Sequence, residues 1–427
     1  MWYRNPIRQS ILLATVLAPA VGIAQDEAGS GGKKLQLEEV LVTAQKRVET
    51  LGDVPVSVTA MSGDKMANAG INNLSDLSEY TPNFKLVDSG LIPNVYMRGV
   101  GSGSNQGFEL SVGIFADGIH LGRPHQTRAA FMDVERVEVL RGPQSILFGK
   151  NAIAGALNII SARPGEEFEA NVSGLVGLPN DRQEFNAMVS TPLTDNTGVR
   201  LALRQREEDG HMYNENLQRD EPGIEETSGR LTFTYTPAEW VETFLKIEQS
   251  NRQQAGRTFE TTHVSALTKC SGEDVKLNRV KNTDTDEFAE IDAYNYVLNV
   301  DFLMEAGTLT ATSGWSGFES YDLFDADSSS FDTAPLLGLE DYDQFSQEFR
   351  FASPGGEFID YIVGAFYQTS ELVFDESTPL NVRNGALADT GNCAVDTAEL
   401  VQAELDKDFT IDSDAWSAFF QLTFVVV

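Results

Sequence analysis

The chain has 427 residues, room for two or three domains at roughly 150 residues each. Hydrophobic residues at 41% and charged residues at 22% lie near the globular average, which excludes wholesale disorder and a collagen-like repeat. Lys and Arg number 31 against 64 Asp and Glu, and a formal net charge of -33 repels phosphate backbones, so nucleic acid is not an expected partner.

Residues 1–24 join Arg4 and Arg8 to an apolar stretch from Ile11 to Ala18 and then to Gly22-Ile23-Ala24, the small-x-small pattern of a secretory signal peptide. The apolar run falls short of the ~20 residues that cross a bilayer, and Pro19 interrupts its end. No later stretch is apolar for long enough to span as a helix, so the expected product is either soluble or a β-barrel. A leader over residues 25–49 begins polar and Gly-rich from Asp26 to Lys34 and then turns β-prone over Leu37–Ala44. That run is either a strand donated to a partner's sheet edge or the first strand of the next domain.

Residues 50–165 are predicted to form a compact α+β domain. Residues 54–59 form a strand, Ser62 caps a helix over residues 65–69, and Gly70 stops it. Asn73 or Ser75 starts a second helix that Pro82 closes. Strands follow at residues 95–97, 111–116, 134–140 and 157–160, with a tight hairpin at Asp117-Gly118. The Gly-rich stretch 99–107 lacks the Gly-Lys-Ser/Thr that would make it a phosphate loop.

Beyond Phe168 the pattern changes to strands of about ten alternating residues. Val199, Leu201 and Leu203 oppose Arg200, Arg204 and Arg206; Tyr294, Tyr296, Leu298, Val300 and Phe302 oppose Asn295, Asn299 and Asp301. Phe345, Phe349 and Phe351 oppose Ser346, Glu348 and Arg350, and Trp416, Ala418, Phe420 and Leu422 oppose Ser417 and Gln421. A sandwich would also alternate. Aromatics at strand ends, long loops expected at 251–290 and 375–409, and a polar second face favour a transmembrane barrel.

These segments carry a resemblance. Glu39-Val40-Leu41-Val42-Thr43-Ala44, Tyr96-Met97-Arg98-Gly99-Val100-Gly101, Phe115-Ala116-Asp117-Gly118-Ile119 and the run from Val137 through Arg141-Gly142-Pro143 to Ile160 resemble the TonB-dependent outer-membrane receptors. Gln347-Glu348-Phe349-Arg350-Phe351-Ala352-Ser353 is similar to a barrel strand of the siderophore-receptor branch. The resemblance implies an α+β plug over residues 50–165 followed by antiparallel transmembrane β-barrel strands over 166–427, incomplete relative to the family's 22 strands. About ten to twelve strands are expected in the space available, which reads as an N-terminal fragment or a truncated, non-transporting product. The expected form is an open curved sheet around the plug, since so few strands closed on themselves leave too narrow a lumen.

The family's function then implies uptake of ferric siderophores or a similar scarce ligand at the cell outer membrane. Cobalamin or an oligosaccharide is the alternative cargo. The implied partners are TonB with its inner-membrane energising complex, the ligand and outer-membrane lipid. A signalling receptor would need a further folded domain before the box, for which the leader is too short. Glu39, Val40, Leu41, Val42, Thr43 and Ala44 form the expected TonB box, unpaired and extended before TonB adds to it. Arg98 and Arg141 are expected at the plug–barrel boundary, with Glu348 as a candidate partner, or else they decorate turns. Ser102, Ser104, Asn105, Gln106, His120, Arg123 and His125 are the candidate ligand contacts, although the histidine hairpin fits a solvated loop equally. Cys270 and Cys393 fall in predicted loops where an extracellular disulfide is possible. No catalytic motif, resident metal site or cofactor is expected, and the chain does not read as an enzyme.

Overall fold

A computed structural model describes residues 41–43, 46–47, 49–50, 52, 56–88, 93–103, 105–127, 131–260, 277–326, 328, 330, 334–356, 358–383 and 400–424. The expected signal peptide, the expected leader through Val40, and Ala44, Ser104, Cys270 and Cys393 lie outside these residues, and with them the disulfide question.

Short strands β1 (Leu41–Val42) and β2 (Glu49–Thr50) pair antiparallel, and β3 (Ser57–Ser62) enters the N-terminal domain. Ser62 caps α1 (Gly63–Ala69) by accepting from the Lys65 amide, and Gly70 closes it at φ 70°, a left-handed geometry that favours glycine. Asn73 caps α2 (Leu74–Tyr80), accepting from the Asp76 amide at 2.9 Å. β4 (Phe84–Asp88), β5 (Pro93–Met97) and β6 (Val100–Gly101) form a small sheet. β7 (Val112–Ala116) and β8 (Ile119–His120) turn through Asp117 and Gly118, both with positive φ as a tight hairpin requires. β9 (Val134–Arg141), α3 (Ser145–Phe148) and β10 (Gly155–Ser161) complete the domain, whose main sheet has the order β3-β9-β10-β7-β8. Both faces of this sheet are covered. Val112, Ile114, Val137, Val139 and Leu157 pack with Met66 and Leu77, while Leu140, Phe115 and Ala156 pack with Phe148 and Val42.

The second region is one antiparallel sheet of ten strands in chain order: β11 (Glu169–Gly177), β12 (Arg182–Thr194), β13 (Thr197–Glu208), β16 (Gly223–Ala238), β17 (Val241–Ala255), β19 (Phe288–Met304), β20 (Gly307–Asp325), β21 (Pro335–Ala352), β22 (Ile359–Arg383) and β23 (Leu400–Phe424). A small sheet of β14 (Met212–Asn214), β15 (Arg219–Glu221) and β18 (Val280–Lys281) sits among the connections. Among the described residues β11 and β23 are the two edges, so the sheet is open as expected. Strands β22 and β23 stay paired out to Arg383 and Leu400, which corrects the long loop expected over 375–409. The rungs there include Glu376 with Lys407, Ser377 with Asp406 and Leu380 with Ala403, opposite-charge, polar and apolar pairs that let the ladder continue.

Polarity in this sheet is inverted relative to a water-borne core. On β13 the arginines are buried, with Arg200 at 9% and Arg204 at 5% exposure, while Leu201 and Leu203 are 44% and 47% exposed. Trp315, Phe349, Tyr367, Trp416 and Phe420 line the same outward face, giving an apolar surface fringed with aromatics that suits lipid. Short turns, such as those at 239–240 and 305–306, gather at one end, and longer connections, including 256–287, at the other.

Candidate functional site

The inward face of the sheet presses on the N-terminal domain, and on the β13–β17 flank the contacts are ionic. Arg200 forks onto the Asp133 carboxylate with contacts of 2.6 and 2.7 Å. Arg230, almost wholly buried, pairs with Glu248 and reaches the carbonyls of Met132 and Asp133. Lys246 has no exposed surface and meets Asp117 at 2.5 Å. Asp117 also accepts from the Ser161 amide and hydroxyl, and Arg204 donates to the Asn72 carbonyl at 3.2 Å. Burial alone would push the Asp117 carboxyl up, but Lys246 and Arg230 together hold it below its ordinary range.

The β20–β22 flank is built differently. Gly314 of β20 leaves room for the Ile119 side chain, which a Cβ there would strike. Gln126 donates to the Ser316 hydroxyl at 2.9 Å, and Gln344 donates to the His120 carbonyl at 2.8 Å. Arg123 lies over the Tyr342 ring at 5.4 Å, and the His125 ring meets Phe318 at 5.1 Å. The ion pairs at this end come from the leader: Lys46 with Glu348 at 2.9 Å, and Arg47 with Asp360 at 3.5 Å. Arg47 also donates to the Ser353 hydroxyl and the Tyr361 carbonyl. Burial lowers the Lys46 ammonium below its usual range despite the Glu348 carboxylate beside it.

Several expected sites fall elsewhere. Leu41 and Val42 are paired with Thr50 and Glu49, Val42 is fully buried, and the Thr43 amide donates to Glu138 at 2.7 Å. The described part of the box is therefore docked, not unpaired, because a buried carboxylate and an apolar slot are available to it. Arg141 stays within its own domain, donating to the Pro82 carbonyl, Ser57 and Thr59, with the Arg98 guanidinium near Gly142. Glu348 pairs with Lys46 and Arg350 instead. Burial, then the neighbouring Arg98, lowers the Arg141 pKa.

Among the ligand candidates, Ser102, Asn105, Gln106, Arg123 and His125 line one narrow cleft that also contains Phe108 and Glu340. Arg123 closes it from behind by donating to the Gln106 carbonyl. His120 belongs to a different place. It is buried, not on a solvated loop, its ring tilted against Phe115 at 5.3 Å and beside Glu109, which holds Lys150 at 3.0 Å. Burial pushes the imidazole down to about 4, against the pull of Glu109.

Sequence reasoning missed Lys46, Arg47, Asp117, Arg230 and Lys246. A visible signal existed for some of them, since inward charges on alternating strands need partners. Lys246 sits at an inward position of β17, but its partner lies 129 positions away across a register no pattern reveals.

Residues 50–156 match the TonB-dependent Receptor Plug Domain. That stretch is a plug domain of the TonB-dependent receptor type. The pesticin receptor of Yersinia pestis is 30% identical over 221 residues, which are 50% of this chain and 31% of that protein. The ferripyoverdine receptor of Pseudomonas aeruginosa is 29% identical over 185 residues, 42% of this chain and 22% of its own. Among solved structures, the ferric yersiniabactin uptake receptor from Yersinia pestis aligns with a TM-score of 0.62 at 17% identity, covering 84% of this chain and 62% of that one. The chain thus spans about a fifth to a third of the length of these curated relatives. The N-terminal domain is a plug, the ten-stranded sheet is barrel wall, and the cell outer membrane is where such a wall resides.

Proposed function

We propose that this receptor takes up a ferric siderophore or a chemically similar scarce ligand, with energy delivered through TonB. The carrying observation is a plug held against an inverted-polarity sheet by buried ion pairs, with the box segment tied to both. Glu39–Ala44 would pair with TonB as an added strand after leaving Glu138, and the cleft of Ser102, Asn105, Gln106, Arg123 and His125 would meet the ligand on the extracellular side of the plug. The ferripyoverdine receptor among the relatives supports an iron-chelate cargo. In this reading the protein is a receptor and carrier, not an enzyme.

The test is radio-iron uptake by iron-starved cells expressing the receptor, supplied with phenolate, catecholate and hydroxamate ferric chelates, with and without TonB. TonB-dependent accumulation from one chelate class is expected; uptake of labelled cobalamin in place of iron would overturn the cargo. In a pull-down with the C-terminal domain of TonB, Val42→Pro should abolish capture, because proline removes the amide that strand addition needs.

A further inference from the structure

The two flanks of the plug are held by different chemistry, and the difference follows the point where the chain is pulled. Toward β13–β17 the plug body is bound by buried charge, Asp133 to Arg200 and Asp117 to Lys246. Parting these pairs leaves charges uncompensated where water is scarce. Toward β20–β22 the plug body offers uncharged hydrogen bonds, Gln126 to Ser316 and Gln344 to the His120 carbonyl, and a cation, Arg123, which lies over the Tyr342 ring and beside Glu340 without forming a salt bridge among the described residues. The His120 ring and the Gln368 amide face each other there, both buried, and neither completes a hydrogen bond of good geometry. Neutral groups of this kind pass readily to water or to an oxygen-rich ligand. The charge pairs formed by Lys46 and Arg47 on this flank belong to the segment immediately behind the box.

We propose that the plug opens along β20–β22, hinged on the ionic flank at β13–β17, with Lys46 and Arg47 as the latch that tension on the box withdraws first. The proposal rests on the importer reading and adds to it a route: a gap lined by Gln126, Ser316, Gln344, Gln368 and the His120 ring, suited to a hydrogen-bonding, oxygen-rich chelate. Pulling Lys46 and Arg47 away removes charge from this side alone and leaves the hinge pairs intact, so a small displacement of the leader biases which side parts.

The test uses the full chain in detergent with Cys270 and Cys393 replaced by Ser and one buried reporter thiol at a time. Ser316→Cys reports the opening flank. Thr232→Cys reports the hinge, since Thr232 is buried and sits in register between Arg200 and Lys246. In the Lys46→Gln, Arg47→Gln background, maleimide should label position 316 about tenfold faster, because charge-assisted contacts have gone, and position 232 within about twofold of its former rate. A charge swap, Lys46→Glu with Glu348→Lys, should slow position 316 again. Equal acceleration at both positions, faster labelling at 232, or no change at 316 would each overturn the proposal. Labelling requires neither TonB nor cargo, so its failure leaves the importer reading standing, and a failed uptake assay leaves the hinge standing.

Discussion

The plug and the sheet use the same alternation of apolar and polar residues and place it in opposite directions. In the plug, Val137, Val139, Leu157 and Ile159 are buried among one another and the helices carry polar residues outward. In the sheet, Leu201 and Leu203 face out and Arg200 and Arg204 face in. The lesson is that the outer solvent decides which face hides: lipid accepts the leucines, and the arginines are tolerated inside because the plug supplies a carboxylate and carbonyls for them. Each region is therefore the other's condition, since a sheet without the plug would hold bare charges and a plug without the sheet would expose Asp117 and Asp133.

The sharpest way to break this dependence is to remove one charge of a buried pair. Lys246→Met leaves Asp117 facing a wall that no longer answers it, and the loss expected is about 3–5 kcal/mol of plug docking. It is read as a lower urea midpoint and faster proteolysis of the plug in detergent. Adding Asp117→Asn should recover much of that loss, because the orphaned charge is what costs; no recovery would show the pair to be incidental. Next in size is an inversion of the sheet's rule. Leu203→Arg places a charge on the lipid face and should cost about 2–4 kcal/mol of membrane insertion, whereas Arg204→Leu one position on should insert normally and loosen the inward contacts to Asn72 and Glu184. Because Arg204 also pairs with the buried Glu184 at 3.5 Å, its loss is a docking defect inside the sheet, and similar insertion of the two variants in outer-membrane fractions would show that this face does not meet lipid.

How much of this was legible in the sequence differs between local and distant features. Ser62, Gly70 and Asn73 mark the helix ends because a cap is settled within four residues. Asp117-Gly118 marks the hairpin for the same reason, and the strand alternation reveals the outward leucines. The same Asp117 also binds Lys246, and nothing local announces that second role. Glu348 was correctly placed on the inner face, yet its partner proved to be Lys46 of the leader rather than Arg98 or Arg141, because the partner depends on where the leader docks. The box was expected to be free, since a β-prone hexamer after a Gly-rich leader shows no sign of the buried Glu138 that captures Thr43. Ser102, Asn105, Gln106, Arg123 and His125 share one cleft, while His120, though only three positions from Arg123, points into a separate buried cluster.

The smallest expected effect sharpens the comparison at that cluster, where plug meets sheet without a buried ion pair between them. His120 is neutral in the folded protein down to about pH 4, while an unfolded imidazole gains its proton near pH 6.5. Between those values the unfolded or undocked chain binds the extra proton, so stability rises with pH and falls on acidification. The groups facing it are Glu109 and Lys150 from the plug and Gln368 from β22; burial pushes the Glu109 carboxyl up, but Lys150 and the Asn151 amide bring it below its ordinary value, so it stays ionised in this window. Acidification from pH 6.5 to 5 should therefore weaken plug docking by up to about 2 kcal/mol through this residue. His120→Asn removes the titrating group while keeping a polar side chain of similar reach. Its urea midpoint should change less than wild type over that range, by the share His120 contributes. If both proteins lost stability in parallel, the acid sensitivity would belong to groups other than His120.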